Sequence, residues 1–258
     1  MTVSGVVVTH GPNADLERCL AALSPQVDEL VVVANLPIEV EAPSNARLVE
    51  NERPLGFAAN VHRGVAETTG EFVAIANPDT DAAPDAVGTL REFAAARPRC
   101  GIVGPQLRYP DGRWQPSRRS FPTVRGTLVR RTPLRYAARP FERQRDHYLL
   151  DERPTEPVPA DWMLAAFLLL RREMLDELGG FDERFRLYGE DIELCYRAAK
   201  AGWERWYVPQ AVVTHRYAAE IDHRLLTRRT LWHWRGIARF VRKHPERLLP
   251  TSARSRTP

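Results

Sequence analysis

The sequence predicts an α/β protein: a mostly parallel central sheet with helices on both faces, followed by a basic, helical C-terminal appendage. Three observations predict it. Short, nearly all-apolar runs alternate with segments of helical period through the first hundred residues, the pattern of strands buried on both faces. The 258 residues are 43% hydrophobic and 27% charged, enough apolar surface for a sizeable core and too near the globular average for wholesale disorder. The basic residues are also unevenly spread, which sets two segments apart from an acidic body.

Val3 to Thr9 reads as a buried strand and Ala14 to Leu23 as the helix after it. Leu30 to Ala34 is a second strand and Ala46 to Glu50 a weaker third. Phe57, Val61 and Val65 stand four apart, so Phe57 to Thr68 is helical, stopped by Gly70. Phe72 to Ala76 is the next strand and Ala83 to Ala96 the next helix, ended before Pro98. After Gly101 to Arg108, again strand-like, the rhythm breaks into an Arg- and Pro-rich stretch over 113–160 that reads as a loop or lid. Leu164 to Leu170 is a strand, Arg172 to Leu178 a helix, and Asp191 to Ala201 a helix closed by Gly202. Trp206 to Thr214 is the last strand, and Leu225 to His244 is helical with a basic face. The expected organisation is one catalytic domain over 1–215 and an extension over 216–258.

Residues 113–145 hold ten Arg against one acid, and 224–258 hold ten basic residues against one acid. Each segment is a net +9, which leaves −14 for the rest of a chain whose total is +4. Such a distribution suits an anionic membrane surface or a polyanion as neighbour, although Arg also far outnumbers the two Lys overall. The longest apolar run, Trp162 to Leu170, is nine residues, well below the ~20 of a membrane-spanning helix. Met1 to Thr9 enters a strand without a basic leader. Cys19, Cys100 and Cys195 are odd in number and far apart, which fits reduced thiols. The expectation is a cytoplasmic protein.

Asn77-Pro78-Asp79-Thr80-Asp81 follows directly on a strand, where open α/β sheets bind their ligands. Asp79 and Asp81, two apart, would present both carboxylates to one side of an extended backbone, a donor set suited to Mg²⁺ or Mn²⁺ shared with a diphosphate. The same residues suit a turn and a helix N-cap. Glu190 and Asp191 open a helix, where acids serve either as a general base or merely as partners of the helix dipole. His215 ends a strand and reads as a metal ligand or as a structural histidine.

These pieces occur together and in order, and the chain resembles family 2 glycosyltransferases of the GT-A fold, particularly their bacterial rhamnosyltransferase-like branch. The resemblance runs from about Val3 to His215. It is carried by Asn51 through Asn60, which includes Gly56-Phe57-Ala58, and by Ala76-Asn77-Pro78-Asp79. Asp161-Trp162 through Leu170-Arg171-Arg172 belongs to it too, as does Gly179-Gly180-Phe181-Asp182-Glu183-Arg184-Phe185 running into Tyr188-Gly189-Glu190-Asp191. Leu194 to Arg197, Gly202-Trp203 and Tyr207-Val208-Pro209 through His215 complete the series.

What the resemblance implies is an inverting transfer of a sugar, such as rhamnose, from a nucleotide-diphospho-sugar to a hydroxyl of a cell-surface or lipid-linked saccharide. By it, Asp191 is the base, beside Glu190, and Asp79 and His215, with Asp81 close by, hold the divalent ion. Thr9, His10, Asn35, Gly56, Phe57, Asn60 and Asn77 line the donor, and Asp161, Trp162, Ala165 and Tyr188 the acceptor pocket. The chain departs from the family pattern at Ala34, where an acid usually meets the nucleobase, at His10-Gly11, and at Ala165 in place of Gly. Those departures leave open a catalytically silent relative acting as a binding or scaffold subunit. A sugar nucleotidyltransferase would call for a Gly-rich, basic loop after the first strand, which Thr9-His10-Gly11-Pro12-Asn13 does not supply. The basic helix at the C-terminus, with Trp232, Trp234 and Phe240 among its arginines, can pack on the domain, lie on an anionic membrane at the inner face of the cell, or do both. A nucleic-acid partner is not expected of so acidic a body.

Overall fold

The computed structural model describes residues 1–121, 149, 152–185, 189–216 and 228–245, with side chains of the last stretch described from Arg235 onward. Strands are β1 (Val3–Thr9), β2 (Glu29–Ala34), β3 (Ala46–Glu50), β4 (Phe72–Ala76), β5 (Thr80–Ala82) and β6 (Cys100–Arg108). They continue with β7 (Trp114–Gln115), β8 (Arg118–Arg119), β9 (Val158–Pro159), β10 (Trp162–Met163), β11 (Phe167–Arg171) and β12 (Glu204–His215). Helices are α1 (Leu16–Leu23), α2 (Phe57–Ala66), α3 (Ala86–Ala95), α4 (Arg172–Leu178), α5 (Glu190–Lys200) and α6 (Arg228–Lys243).

The main sheet runs β3-β2-β1-β4-β11-β6-β12-β5. β1, β2, β3 and β4 are parallel, and β12 is parallel to β6. β11 enters antiparallel between β4 and β6. Every long strand except β11 therefore points the same way, and the carboxyl ends of β1, β2, β4, β6 and β12 share one edge. Strand periodicity then divides the core. In β4, Phe72, Ala74 and Ala76 join one apolar cluster with Leu16, Leu20 and Leu23 of α1 and Val87 and Leu90 of α3. Val73 and Ile75 join another with Val61 of α2, Met174 of α4 and Leu194 and Ala198 of α5. Both faces are covered, as the apolar runs require, at a gain of about 25 cal/mol per Å² of apolar surface buried.

Two local features aim the far strand. The register of β12 against β6 shifts between Val208 and Val212, around Pro209, whose ring supplies no ladder N–H. Beyond the shift β12 runs on to His215, and β5 pairs with its last residues, Thr80 opposite His215. Residues 114–119 fall in the stretch read as a lid, yet they form the paired strands β7 and β8, against β6 and β10 respectively.

The last turns of α6 pack on α5. Phe240 is buried against Tyr196, 5.6 Å between ring centroids, and His244 lies 4.6 Å from the same ring. Lys243 Nζ donates to Asp182 Oδ2 at 2.8 Å and to Glu193 Oε1 at 2.5 Å. Glu193, wholly buried, is also gripped by Arg197 Nε through both oxygens at 2.8 Å. The opposite side of the helix exposes Arg235, Arg239 and Arg242. Among the described residues no helix is long and apolar enough to cross a membrane.

Candidate active site

The shared carboxyl edge of the sheet collects the residues singled out from sequence. β4 ends in Ala76, and the chain then turns, Thr80 N–H donating to Asn77 O at 3.2 Å, before it re-enters extended conformation as β5. Asp79 sits on that turn and His215 at the end of β12. Pairing of β5 with β12 brings His215 Nε2 to 3.5 Å from Asp79 Oδ2, and Arg216 N–H donates to Asp79 O at 2.8 Å. Histidine and aspartate lie 136 positions apart in sequence; three residues of antiparallel ladder bring them together.

His215 is buried, and its Nδ1 stands 3.1 Å from Gln115 Oε1. The Gln115 carbonyl accepts, so Nδ1 carries a proton, and Nε2 lies on the Asp79 side. A carboxylate oxygen and an imidazole nitrogen 3.5 Å apart form a donor pair that suits one divalent cation, with remaining positions filled from a bound diphosphate and water. Asp81 does not join them. Since extended backbone begins only at Thr80, the alternation expected across Asp79 and Asp81 is broken, and the Asp81 carboxylate lies 3.6 Å from Arg216 Nη2. Among the described residues no group of three or more His, Cys, Asp or Glu side chains gathers as a metal cage.

Asp191 reaches the same region by another route. Gly189 caps α5 with φ +97°, a backbone conformation open to glycine at little cost, and this turn starts the helix at Glu190. Asp191 Oδ1 accepts Ile192 N–H at 2.8 Å, and the carboxylate also accepts a backbone hydrogen bond from Ala165. The next residue, Ala166, accepts Asn77 N–H at 2.8 Å. Two consecutive residues ahead of β11 thus tie the base of the Asp79 turn to the Asp191 carboxylate. A second tie runs through residues 115–119: Gln115 supports His215, and the Arg119 guanidinium pulls on the charge of Asp191.

Burial pushes both acids of α5 above the usual carboxylate range, Glu190 more than Asp191, with the neighbouring charge adding to the effect at Glu190. Backbone hydrogen bonds and Arg119 hold Asp191 back. Glu190 Oε2 is buried without a hydrogen-bond partner. Both carboxyls of this pair therefore keep a proton to higher pH than exposed acids would.

The donor-side residues divide into exposed and internal groups. His10 is exposed at the end of β1, and Thr9 is buried, its hydroxyl spent on Gly11 O at 2.7 Å. Gly56 precedes α2, and Phe57 is half-buried against Phe181. Asn35 and Asn60, expected at the donor, are buried and bonded to each other and to Asn51. On the acceptor side, Asp161 accepts Phe121 N–H at 2.8 Å, Trp162 is buried and donates to Ser120 O, and Ala165 is half-buried. Tyr188 lies outside the described residues. Sequence reading missed Gln115, Arg119 and the Ala165–Ala166 backbone, because a supporting amide or a peptide group carries no motif. Gln115 and Arg119 do, however, fall in a segment whose Pro and Arg content resembles a loop.

A mixed sheet that gathers Asp79 and His215 at its carboxyl edge, with Asp191 tied to the same edge through Ala165–Ala166, accords with the GT-A fold. The chain belongs to the family described as "Glycosyltransferase like family 2", which matches residues 13–233, and it is a glycosyltransferase. It is 33% identical over 234 residues to the N-acetylglucosaminyl-diphospho-decaprenol L-rhamnosyltransferase of Mycobacterium tuberculosis (strain ATCC 25618 / H37Rv), covering 83% of this chain and 75% of that protein. Among solved structures, GalNAc-T7 with UDP, GalNAc and Mn²⁺ superposes with a TM-score of 0.65 at 17% identity, over 93% of this chain and 48% of that one. The mannosyltransferase PcManGT of Pyrobaculum calidifontis, with GDP-Man and Mn²⁺, gives 0.56 at 19% identity, over 86% and 59%. These structural likenesses establish the fold.

Proposed function

We propose that this glycosyltransferase moves a sugar, rhamnose in the first instance, from a nucleotide-diphospho-sugar to a hydroxyl of a lipid-linked saccharide, with inversion at the anomeric carbon. The observation that carries the reading is the Ala165–Ala166 link, which joins the Asp191 carboxylate to Asn77, two residues before Asp79 of the Asp79–His215 pair. The sugar and acceptor classes follow the mycobacterial relative, whose name specifies rhamnosyl transfer to a decaprenol-linked substrate.

Asp79 and His215 would hold a divalent cation, Mn²⁺ or Mg²⁺, which when bound stabilises negative charge on the departing nucleoside diphosphate. Gln115 fixes the His215 ring in the tautomer that offers Nε2. The donor nucleoside lies over the carboxyl ends of β1 and β2, near His10. Asp191 accepts the proton of the acceptor hydroxyl as that oxygen attacks the anomeric carbon and the bond to the diphosphate oxygen breaks. One base and one displacement give inversion. Burial also favours the neutral form of Glu190 beside Asp191. The exposed arginines of α6 rest on anionic headgroups at the cytoplasmic membrane face, where a lipid-linked acceptor is presented.

The test is Asp191→Asn. Its amide keeps the shape and cannot accept the proton, so transfer should fall by about 10²–10⁴-fold while nucleoside-diphosphate binding with Mn²⁺ stays within about twofold. Transfer that survives intact would remove Asp191 from the role of base.

A further inference from the structure

Three asparagine side chains bond to one another at the carboxyl ends of β2 and β3. Asn35 Oδ1 accepts three N–H groups: Leu55 backbone at 2.8 Å, Asn51 Nδ2 at 2.8 Å and Asn60 Nδ2 at 3.1 Å. Asn35 Nδ2 returns a hydrogen bond to Leu55 O at 3.1 Å, so one carboxamide grips both backbone polar groups of Leu55. Asn51 Nδ2 also donates to Asn60 Oδ1 at 2.6 Å, and Asn51 Oδ1 accepts Arg63 Nη1 at 2.8 Å. All three asparagines are buried, Asn60 completely.

The three belong to different pieces of chain. Asn35 follows β2, Asn51 follows β3 and Asn60 lies in α2. Asn35 N–H extends the ladder to Thr9 O at 3.0 Å, and Asn51 N–H extends it to Ala34 O at 2.9 Å. The segment from Glu52 to Leu55 is thereby pinned at its start by Asn51, at its end by Asn35, and against α2 by Asn60. Glu52, Arg53 and Pro54 remain exposed, as does His10, whose Nδ1 is 3.5 Å from Asn35 Nδ2.

We propose that Asn35, Asn51 and Asn60 are positioning residues that do not touch the donor: together they lock the segment 52–55 as one wall of the nucleoside site, facing His10 across the carboxyl ends of β1 and β2. This deepens the donor reading and rests on it. Buried carboxamides bonded to one another fix the local geometry, and removing one leaves the others with unmet donors and acceptors. A released wall should weaken binding of the nucleoside and spare the diphosphate, which the Asp79–His215 end of the edge would hold.

The experiment compares two probes with Mn²⁺ by calorimetry: inorganic pyrophosphate, and the best binder for wild type among UDP, dTDP, GDP and ADP. For Asn51→Ala and Asn60→Ala the expected result is a nucleoside-diphosphate Kd raised at least tenfold, with the pyrophosphate Kd within twofold of wild type. Arg63→Met, at an exposed position that only braces Asn51, should give a smaller rise of about threefold with the same selectivity. It serves the test if the alanine variants do not fold. A lowered melting temperature with both affinities unchanged would overturn the lock and leave the donor reading intact, as would equal loss of both probes. Wild type that takes up pyrophosphate and none of the four nucleotides would overturn the donor reading, and the lock with it.

Discussion

Asp191 and Glu190 are neighbours in sequence, yet burial acts on them unequally, and pH should reveal it. A base must be ionised to work, and burial raises Asp191 above the usual carboxylate range. The acid limb of kcat/KM is therefore expected above the ~4 of an ordinary carboxylate, and a limb at or below that value would assign the base elsewhere. Glu190 governs stability with the opposite consequence from a paired acid. Its folded pKa is raised, so the fold retains a proton that the unfolded chain gives up. Stability is then lost as pH climbs from the ordinary carboxylate range through the raised value. Glu190→Gln should match wild type in melting temperature near pH 4 and exceed it at pH 9 by at least about 2 °C, the shift that ~1 kcal/mol gives in a chain of this length. Asp79→Ala removes one of the two protein donors proposed for the cation. The Mn²⁺ concentration for half-maximal activity should rise at least tenfold; an unchanged requirement would exclude Asp79 from the metal.

At the scale of elements, α5 carries Asp191 on its first turn and meets α6 further along, through Glu193, Tyr196 and Arg197. Glu193 is buried between a guanidinium and an ammonium, which offsets a desolvation cost that neither partner alone would cover. Arg197 also donates to the carbonyls of Leu178 and Gly180, so α4, the glycine turn and α5 move as one body. Gly180 itself has φ +62°, and a Cβ there would meet the His62 ring at 2.4 Å. The aromatic contact of Phe240 is the apolar half of the α5–α6 joint. Phe240→Ala should cost about 2–3 kcal/mol, lower the melting temperature by roughly 5–10 °C and raise hydrogen exchange in the last turns of α6. Unaltered exchange there would mean that the polar contacts alone hold the helix.

Over the whole molecule, the side of α6 opposite its docked face turns Arg235, Arg239 and Arg242 outward, one to two turns apart. At about 1 kcal/mol per basic residue near an anionic surface, three can supply peripheral, salt-sensitive attachment without any spanning helix. Full-length protein should float with vesicles rich in anionic lipid, less so as salt rises, and not with zwitterionic ones. Replacing the three arginines with Gln should abolish flotation while leaving the melting temperature within about 1 °C. Equal flotation of the variant would move the contact to another surface.

Sequence by itself determined the order of the long strands and the helices, the two-faced sheet, and the motifs at Asn77–Asp79, Gly179–Asp182 and Glu190–Asp191. These are local facts: apolar period, glycine positions and residue spacing are all written within a few residues of one another. It could not place Asp81, because whether alternate side chains share a face depends on where extended backbone begins. The same limit hid the mutual bonding of Asn35, Asn51 and Asn60, whose chemistry equally suits a ligand or each other. Tertiary structure alone decided that His215 meets Asp79, that Gln115 supports it, and that Ala165–Ala166 binds the Asp191 carboxylate to the Asp79 turn. Those contacts arise from strand register and crossover, set by the packing of the whole sheet between its helices, and no short stretch of chain contains them.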